Sequence, residues 1–261
     1  MVLDEIIAHK KQELEHKKAR LSAARLEEIC SGMDPPRSLL SALRRPGVQI
    51  IAEMKRCSPS AGLLREHFEP RQIAASYQTA GAAAVSVLTD VRYFGGDDRH
   101  VADARLACRL PILRKEFIVD EWQVYESRAL AADAVLLVVC VLSDQQLDDY
   151  LWAARELDMA AVVEAHDERD VQRALAVEPD IIGINNRDLS SFKVDFGTTL
   201  RLRPLIPRGT IVVSESGVET RGDLLKLAEA GVDAALIGSS LMAADDIESK
   251  LRGFVGVEVV V

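Results

Sequence analysis

The stretch AGVDAALIG, residues 230 to 238, places a glycine where a helix would end, followed by an apolar run where a strand would begin. Two other stretches have the same form: AGAAAVSVL at residues 80 to 88 and LAADAVLLV at residues 130 to 138. The glycine stands at the position where a left-handed residue commonly ends a helix. Ala131 takes that position in the middle copy, which predicts a small backbone strain there. The repeat predicts that helices and buried strands alternate along this chain.

Eight apolar runs of strand length, rich in β-branched residues, recur along the chain. They are 48–52, 84–88, 111–113, 134–139, 161–163, 181–184, 211–213 and 234–237. Between them, apolar residues recur at three- and four-residue spacing, which is typical of helices. These predicted helices are 70–80, 121–131, 144–157, 167–176 and 220–229, with Ser143, Asp167 and Thr220 as plausible N-caps.

Strands that are buried on both faces and alternate with helices form parallel sheets. Eight such units predict an α/β protein whose strands close into a (β/α)8 TIM barrel. An open doubly wound sheet is the alternative, and it is disfavoured because no GxGxxG motif follows the first strand. Barrel enzymes carry their chemistry at the C-terminal ends of the strands, so we expect the functional residues there.

Residues 1–46 precede the first predicted strand and have the pattern of an amphipathic helix with Asp34-Pro35-Pro36 as its hinge. Apolar residues share one side, and most of the charged residues fall on the other, where we expect them to be solvated. The two sets are Leu3, Ile6, Ile7 and Leu14, and Lys10, Lys11, Glu13, Glu15, Lys17 and Lys18. We predict a helical extension, residues 1–46, packed on a catalytic barrel, residues 47–256, within a single domain overall.

Composition restricts the functional classes. The chain has 261 residues, of which 48% are hydrophobic and 28% are charged, as in soluble globular proteins. Its net charge of −9 argues against a nucleic-acid partner, because phosphate backbones are bound by clustered Lys and Arg. A small anionic ligand remains possible at a local cationic spot.

The sequence also predicts a cytoplasmic protein with no membrane partner. The longest apolar run, 134–142, is too short to cross a bilayer, and Asp4 and Glu5 argue against a secretion signal. The four cysteines are widely separated and form no CxxC pair, so we expect reduced thiols. A monomer is compatible with the sequence, which does not determine the oligomeric state.

Ionisable and amide side chains stand at the ends of six predicted strands. They are Glu53 and Lys55 after the first, Arg114, Lys115 and Glu116 after the third, Glu164 after the fifth, Asn185, Asn186 and Arg187 after the sixth, Glu215 and Ser216 after the seventh, and Ser239 after the eighth. One such residue alone is more often solvated than functional. A closed barrel brings all six ends to one cavity, where opposite charges hold each other ionised.

Two strand ends carry a second signal. Ser216-Gly217 follows the seventh strand and Gly238-Ser239 follows the eighth. Small residues with free backbone N–H groups at these two positions bind a phosphate group in many barrels. We therefore expect a phosphorylated ligand.

The chain resembles the indole-3-glycerol-phosphate synthase family of tryptophan biosynthesis in segments that occur in this order: IAEMKRCSPSAG, LTDVRYFGG, LRKEFIVDEWQVYESRA, VVEAHD, GINNRDL, FKVD, SESGV and IGSSLM. The resemblance covers residues 35–245 and includes the helical extension. It implies a (β/α)8 enzyme that converts 1-(2-carboxyphenylamino)-1-deoxyribulose 5-phosphate to indole-3-glycerol phosphate. Carbon dioxide and water are released, and no cofactor is required.

The resemblance also implies roles for particular residues. Lys115 resembles the general acid, Glu164 a carboxylate opposite it, and the family has more than one version of the division of labour between Lys55 and Lys115. The implied catalytic set is Glu53, Lys55, Lys115, Glu164, Asn185 and Ser216. The implied substrate contacts are Ser58, Phe94, Phe117, Arg187, Leu189 and Glu215, and the implied phosphate contacts are Lys55, Gly217, Gly238 and Ser239.

Other hypotheses remain open at this point. Lys115 could be a Schiff-base nucleophile, as in an aldolase. Another phosphate-binding barrel, such as phosphoribosylanthranilate isomerase, would use a Cys and Asp pair, and Cys57 is the only thiol at a strand end. His166 follows Glu164 by two residues, but no third ligand has suitable spacing, so we expect no metal.

Overall fold

The computed structural model describes residues 2–188 and 191–258, and it confirms the predicted closed parallel barrel. Each strand pairs in parallel with its neighbours along the chain, and the first strand pairs with the last. We number the barrel strands β1 (Gln49–Met54), β2 (Ala84–Leu88), β3 (Ile112–Lys115), β4 (Ala134–Val138), β5 (Ala160–Ala165), β6 (Ile181–Asn185), β7 (Ile211–Glu215) and β8 (Ala234–Ile237).

The helices alternate with these strands and precede them at the N-terminus. They are α1 (Val2–Arg20), α2 (Ala23–Ser31), α3 (Leu39–Leu43), α4 (Pro70–Ala80), α5 (Val91–Phe94), α6 (Arg99–Ala107), α7 (Trp122–Ala129), α8 (Asp144–Glu156), α9 (Glu168–Ala176), α10 (Gly197–Leu202), α11 (Arg221–Glu229), α12 (Ser239–Met242) and α13 (Ile247–Arg252). Two 3-10 turns, Val139–Val141 and Arg203–Leu205, and a two-stranded hairpin, Cys57–Ser58 with Gly62–Leu63, complete the elements. Within the described ranges, no helix is long and apolar enough to span a membrane.

The predicted helix N-caps are confirmed. The side chains of Ser143, Asp167 and Thr220 accept hydrogen bonds from the backbone N–H groups three residues later. Such a bond satisfies a donor that has no partner within the helix. The capping residues therefore fix where α8, α9 and α11 begin.

The internal repeat has a backbone explanation. Gly81 and Gly231 end their helices with φ of 94° and 73°, and Ala131 adopts φ of 68° at the corresponding position. Asp133 precedes β4 and accepts a 2.8 Å hydrogen bond from the backbone N–H of Ile112 in β3. Asp233 precedes β8 and accepts a 2.8 Å hydrogen bond from the backbone N–H of Val212 in β7. All three copies thus encode a left-handed helix stop, and the two copies with an aspartate add a hydrogen bond to the adjacent strand.

We expect Ala131→Gly to raise the free energy of unfolding by about 0.5–1 kcal/mol, because a left-handed φ is costly for a residue with a Cβ. Gly231→Ala is the matched control and should lower it by a similar amount. A Cβ at Gly231 would meet only the far end of Arg203, 3.9 Å away, so φ alone decides the effect. Denaturant unfolding measures both, and a destabilised Ala131→Gly variant would contradict the explanation.

The barrel interior changes from apolar to polar along each strand. Side chains of a strand alternate between its two faces, so inward residues recur every second position. Ile51, Leu113, Val162 and Val213 pack together inside the barrel. Two residues further along the same strands stand Glu53, Lys115, Glu164 and Glu215. These four predicted site residues are therefore the last inward positions of their strands, and not the first residues of the loops.

The extension packs its first helix on the barrel, but the prediction that its charged residues are solvated was wrong for two of them. Lys10 is only 3% exposed, and its Nζ lies 3.1 Å from Asp90 and 3.2 Å from Glu116. Lys17 donates to Asp98 at 2.6 Å and to Glu126 at 2.9 Å. Lys10 is buried and Lys17 is half-buried because the barrel presents carboxylates opposite them.

Candidate active site

A cavity of about 450 Å³ opens at the C-terminal ends of the barrel strands. Its walls contain every described residue to which the family resemblance assigned a role. These are Glu53, Lys55, Ser58, Phe94, Lys115, Phe117, Glu164, Asn185, Arg187, Glu215, Ser216, Gly217, Gly238 and Ser239. Leu189 lies outside the described residues.

Lys115 stands at the centre of the polar groups. Its Nζ donates to Oε2 of Glu164 at 2.6 Å and to Oε2 of Glu215 at 2.7 Å. The three side chains are 13%, 3% and 2% exposed. Burial alone would lower the pKa of Lys115, but the two carboxylates outweigh it and hold this pKa above its ordinary value. The lysine is therefore an ammonium group with two acceptors.

The two carboxylates differ in acidity although they share the same lysine. Burial opposes the ionisation of Glu164, but Lys115 and His166 outweigh it and hold its pKa below the ordinary value. Burial raises the pKa of Glu215 to about 7, and the nearby Glu164 adds to this rise while Lys115 opposes it. Glu164 has two positively charged neighbours and Glu215 has one, so Glu215 is the carboxylate that takes up a proton first as the pH falls.

A second charge pair lies at the end of β1. Nζ of Lys55 donates to Oε2 of Glu53 at 2.6 Å, and Glu53 is 4% exposed. Gly238, after β8, leaves the space that this carboxylate occupies, since a Cβ there would overlap it. The glycine predicted to bind phosphate therefore also makes room for a predicted catalytic group.

Asn185 connects the neighbouring strand ends. Its Nδ2 donates to Oε1 of Glu164 at 3.1 Å, and its Oδ1 accepts from Oγ of Ser216 at 3.0 Å. Ser216 and Gly217 both adopt a left-handed φ, of 65° and 81°. Such a φ is uncommon for serine and persists only where the surroundings enforce it, which is frequent at functional sites.

The upper wall of the cavity is apolar. The rings of Phe94 and Phe117 lie 6.4 Å apart, and Leu3 and Ile6 of α1 also line the cavity. Nothing in the sequence indicated that α1 reaches this cavity, because its apolar residues have the same spacing as any packed helix face. The cavity thus combines apolar side chains with the charged groups of the strand ends.

Two residues at the end of β3, Arg114 and Glu116, do not have the roles that the sequence suggested. Arg114 is fully buried and points away from the cavity, where it donates to Glu126 at 2.8 Å and to Asp98 at 2.7 Å. The reason is the alternation of β3, which turns Arg114 outward because Lys115 faces inward. Glu116 lines the cavity but is held by Lys10 and by Thr89, which donates to it at 2.7 Å.

His166 has two further neighbours that the sequence spacing did not reveal. Cys140 and Asp170 place ligand-type atoms within 4.8 Å of its ring, so the expectation that no third metal-ligand side chain is near was wrong. Cys140 comes from the turn after β4 and Asp170 from α9, which only the fold brings together. The group does not line the cavity.

Comparison with known proteins adds a likeness over nearly the whole chain. Residues 3–254 match the family model described as indole-3-glycerol phosphate synthase. The chain is 48% identical to the indole-3-glycerol phosphate synthase of Acidithiobacillus ferrooxidans, over 92% of this chain and 93% of that protein. It is 45% identical to the protein of the same name from Acetivibrio thermocellus, over 97% of this chain and 99% of that protein.

Solved structures show the likeness of the fold alone. A 3-hexulose-6-phosphate synthase from Salmonella typhimurium matches with a TM-score of 0.64 and 12% identity, over 79% of this chain and 96% of that chain. A thiamine phosphate pyrophosphorylase from Pyrococcus furiosus matches with a TM-score of 0.59 and 15% identity, over 83% of this chain and 96% of that chain.

Proposed function

Since this chain belongs to the indole-3-glycerol phosphate synthase family, it is a carboxy-lyase of tryptophan biosynthesis, and we propose how its cavity residues divide the work. The reaction closes a ring in 1-(2-carboxyphenylamino)-1-deoxyribulose 5-phosphate, then releases carbon dioxide and water to give indole-3-glycerol phosphate. The observation that carries the assignment of roles is the Lys115 ammonium, buried between two carboxylates at the base of the cavity.

Ring closure requires an acid at the ribulose carbonyl. A carbon of the carboxyphenyl ring attacks C2, and the carbonyl oxygen gains negative charge that a positioned ammonium can neutralise and protonate. Lys115 has that form because Glu164 and Glu215 hold its proton. Positive charge develops meanwhile on the ring and its nitrogen, and the Glu164 carboxylate offsets it. Loss of the carboxyl group as carbon dioxide then restores the aromatic ring.

Dehydration requires an acid for the departing hydroxyl group and a base for the proton of the ring nitrogen. We assign these to the Lys55 and Glu53 pair, whose 2.6 Å hydrogen bond allows a proton to pass between them. The reverse order, with Lys55 acting in ring closure and Lys115 in dehydration, is the second version. It is distinguished by which lysine variant accumulates the ring-closed, hydroxylated intermediate.

The phosphate group is assigned to the loops after β7 and β8. These strands are neighbours, with Leu236 paired to Glu215, so the backbone of Gly217 lies near that of Gly238 and Ser239. Lys55, directly after the end of β1, adds a positive charge, and β1 pairs with β8. Phe94 and Phe117 would then hold the aromatic ring, with Ser58, Asn185, Arg187 and Ser216 as polar contacts to the remainder.

Two alternatives fit the cavity less well. A Schiff-base lysine must lose its proton to attack a carbonyl, whereas the surroundings of Lys115 stabilise the protonated form. An isomerase with a catalytic thiol would need Cys57 in the cavity, but this side chain is not part of the wall and its Sγ lies 3.9 Å from the carbonyl of Tyr93. Product formation in an indole-fluorescence assay with the carboxyphenylamino substrate tests the function directly, and no signal above background would refute it.

Glu215 should give the reaction a pH dependence near neutrality. Its pKa is raised to about 7, so turnover should rise as pH increases through that value and the carboxylate becomes available to oppose positive charge. The proton is held more tightly in the folded state, so this group makes folding less favourable as pH rises from 4.5 to about 7.

A profile of kcat against pH tests this expectation. Glu215→Gln should remove the inflection, whereas Glu229→Gln, a change at an exposed glutamate on α11, should retain it. An inflection near pH 7 that persists in Glu215→Gln would assign it to another group.

We also propose that the chain works in the cytoplasm on this small anionic substrate, without a nucleic acid or a membrane. All four cysteines are free thiols, which suits a reducing compartment. The net charge of −9 disfavours nucleic acid. Sedimentation of the purified protein would test whether it is a monomer.

A further inference from the structure

His166 contacts Glu164, a residue of the cavity wall, but does not itself line the cavity. It follows β5 by one residue and stands two positions after Glu164, so both side chains lie on the same face of the chain. Its Nε2 lies 3.2 Å from Oε1 of Glu164, and its Nδ1 lies 3.5 Å from Oδ2 of Asp170 on α9. The imidazole side chain is 14% exposed. It is thus held between two carboxylates, of which only Glu164 faces the substrate.

Asp170 contacts both the ring and the backbone of His166. Besides its contact with Nδ1, it accepts a 3.1 Å hydrogen bond from the backbone N–H of His166, and its side chain is 9% exposed. The carboxylate therefore holds the backbone of His166 by a hydrogen bond and lies at ion-pair distance from its ring. Neither ring nitrogen makes a hydrogen bond of good geometry, so charge attraction between the imidazole and the two carboxylates positions the ring.

Glu164 receives a different partner at each oxygen. Lys115 donates to Oε2, while Asn185 at 3.1 Å and His166 at 3.2 Å share Oε1. Lys115 belongs to β3, Asn185 to β6 and His166 to the end of β5. Three elements thus determine the rotation of one carboxylate.

The charges around this group favour an imidazolium. The charged or titratable neighbours are Lys115 from β3 and Glu215 from β7 on the cavity side, with Asp170 from α9 and Cys140 from the turn after β4 on the outer side. Burial alone would lower the pKa of His166, but Asp170, Cys140 and Glu164 outweigh it and raise it to about 12. The positively charged form of the ring is therefore favoured beside Oε1 of Glu164.

We propose that His166 is a positioning residue that holds the Glu164 carboxylate in its working orientation, with Asp170 anchoring the imidazole from the outer side. The inference rests on the proposed role of Glu164 in ring closure. Neither His166 nor Asp170 lines the cavity, so they act on the reaction only through Glu164. Without His166, Oε1 keeps a single neutral donor and the carboxylate can rotate away from the developing positive charge.

Three variants test the proposal. His166→Ala removes both the contact and the charge, and a misplaced catalytic group lowers kcat by up to about 10²-fold. His166→Gln can still donate an amide N–H to Oε1, so it should recover part of that loss. His100→Ala is the matched control, because His100 is a half-buried histidine that packs on Phe68, outside the cavity.

Two readouts separate positioning from a general loss of stability. KM should change little in His166→Ala, because the loops after β7 and β8 are untouched, whereas kcat should fall. Loss of the imidazolium also raises the pH at which the Glu164 and Glu215 pair takes up its first proton, so the acid limb of kcat should move to higher pH. The control variant can lose stability, but its acid limb should stay in place.

The outcomes distinguish the inference from the proposed function. If wild-type protein makes no indole-3-glycerol phosphate, the function itself fails. If wild-type protein is active and Glu164→Gln is not, but folded His166→Ala keeps the wild-type kcat and acid limb, the positioning role is refuted. An equal loss in His166→Gln and His166→Ala would refute orientation by a donated N–H group.

Discussion

Lys115→Ala is expected to lower kcat by about 10²–10⁴-fold, the usual cost of losing a general acid. The substrate would still meet the loops after β7 and β8, so KM should change far less than kcat. Two carboxylates, Glu164 and Glu215, would then face each other without the ammonium that separates them. One of them would keep a proton to neutral pH and above, since two neighbouring buried carboxylates disfavour each other's ionisation.

Steady-state kinetics with fluorescence detection of the indole product measures this effect, and circular dichroism verifies the fold. Lys115→Met is a second variant that retains the length of the apolar stem and should be equally inactive. Lys226→Ala is the control, since its side chain is 61% exposed on α11. Near wild-type turnover with weakened binding would make Lys115 a binding residue and assign ring closure to Lys55.

Gly238→Ala is expected to lower kcat by about 10²-fold through a single methyl group. The added Cβ would overlap the Glu53 carboxylate, so Glu53 must move and its 2.6 Å hydrogen bond with Lys55 is disturbed. Displacement of a catalytic group by about 1 Å is sufficient for a loss of this size. The backbone φ of −125° is accessible to alanine, so strain does not contribute.

Gly209→Ala is a matched control for this substitution. A Cβ at Gly209 would meet nothing within 4 Å, and its φ is not left-handed. It should leave kcat and KM unchanged. Wild-type kcat in Gly238→Ala would mean that the Glu53 position is not critical, whereas a raised KM with unchanged kcat would mean that Gly238 contacts only the phosphate group.

The barrel could be predicted because its strands are apolar on both faces and its helices have marked caps. The strand ends were predicted too early, however. The runs ending at Ala52, Leu113 and Val163 continue in the structure to Met54, Lys115 and Ala165. Charged residues normally indicate a loop, but a closed barrel satisfies their backbone groups and buries their side chains against one another. Each of these three strands therefore contains a residue proposed to be catalytic, inside the strand and not after it.

Contacts between distant parts of the chain could not be predicted from one sequence. The pattern of α1 does not distinguish Lys10, which is buried, from Lys11, which is exposed, because the difference depends on where Asp90 and Glu116 lie. The same applies to His166, whose partner Asp170 is four residues away but whose neighbour Cys140 comes from another turn. Local spacing carries no information about such pairs.

The buried ammonium group of Lys10 on α1 neutralises carboxylates of the barrel. If the chain were cut at residue 46, Asp90 and Glu116 would stay in place without this positive charge. Loss of one partner from a buried ion pair costs about 3–5 kcal/mol, a large part of the roughly 5–15 kcal/mol that stabilises a whole domain. The barrel without α1 is therefore expected to be much less stable than the whole chain. In the whole chain, α1 and the barrel should unfold in one cooperative transition.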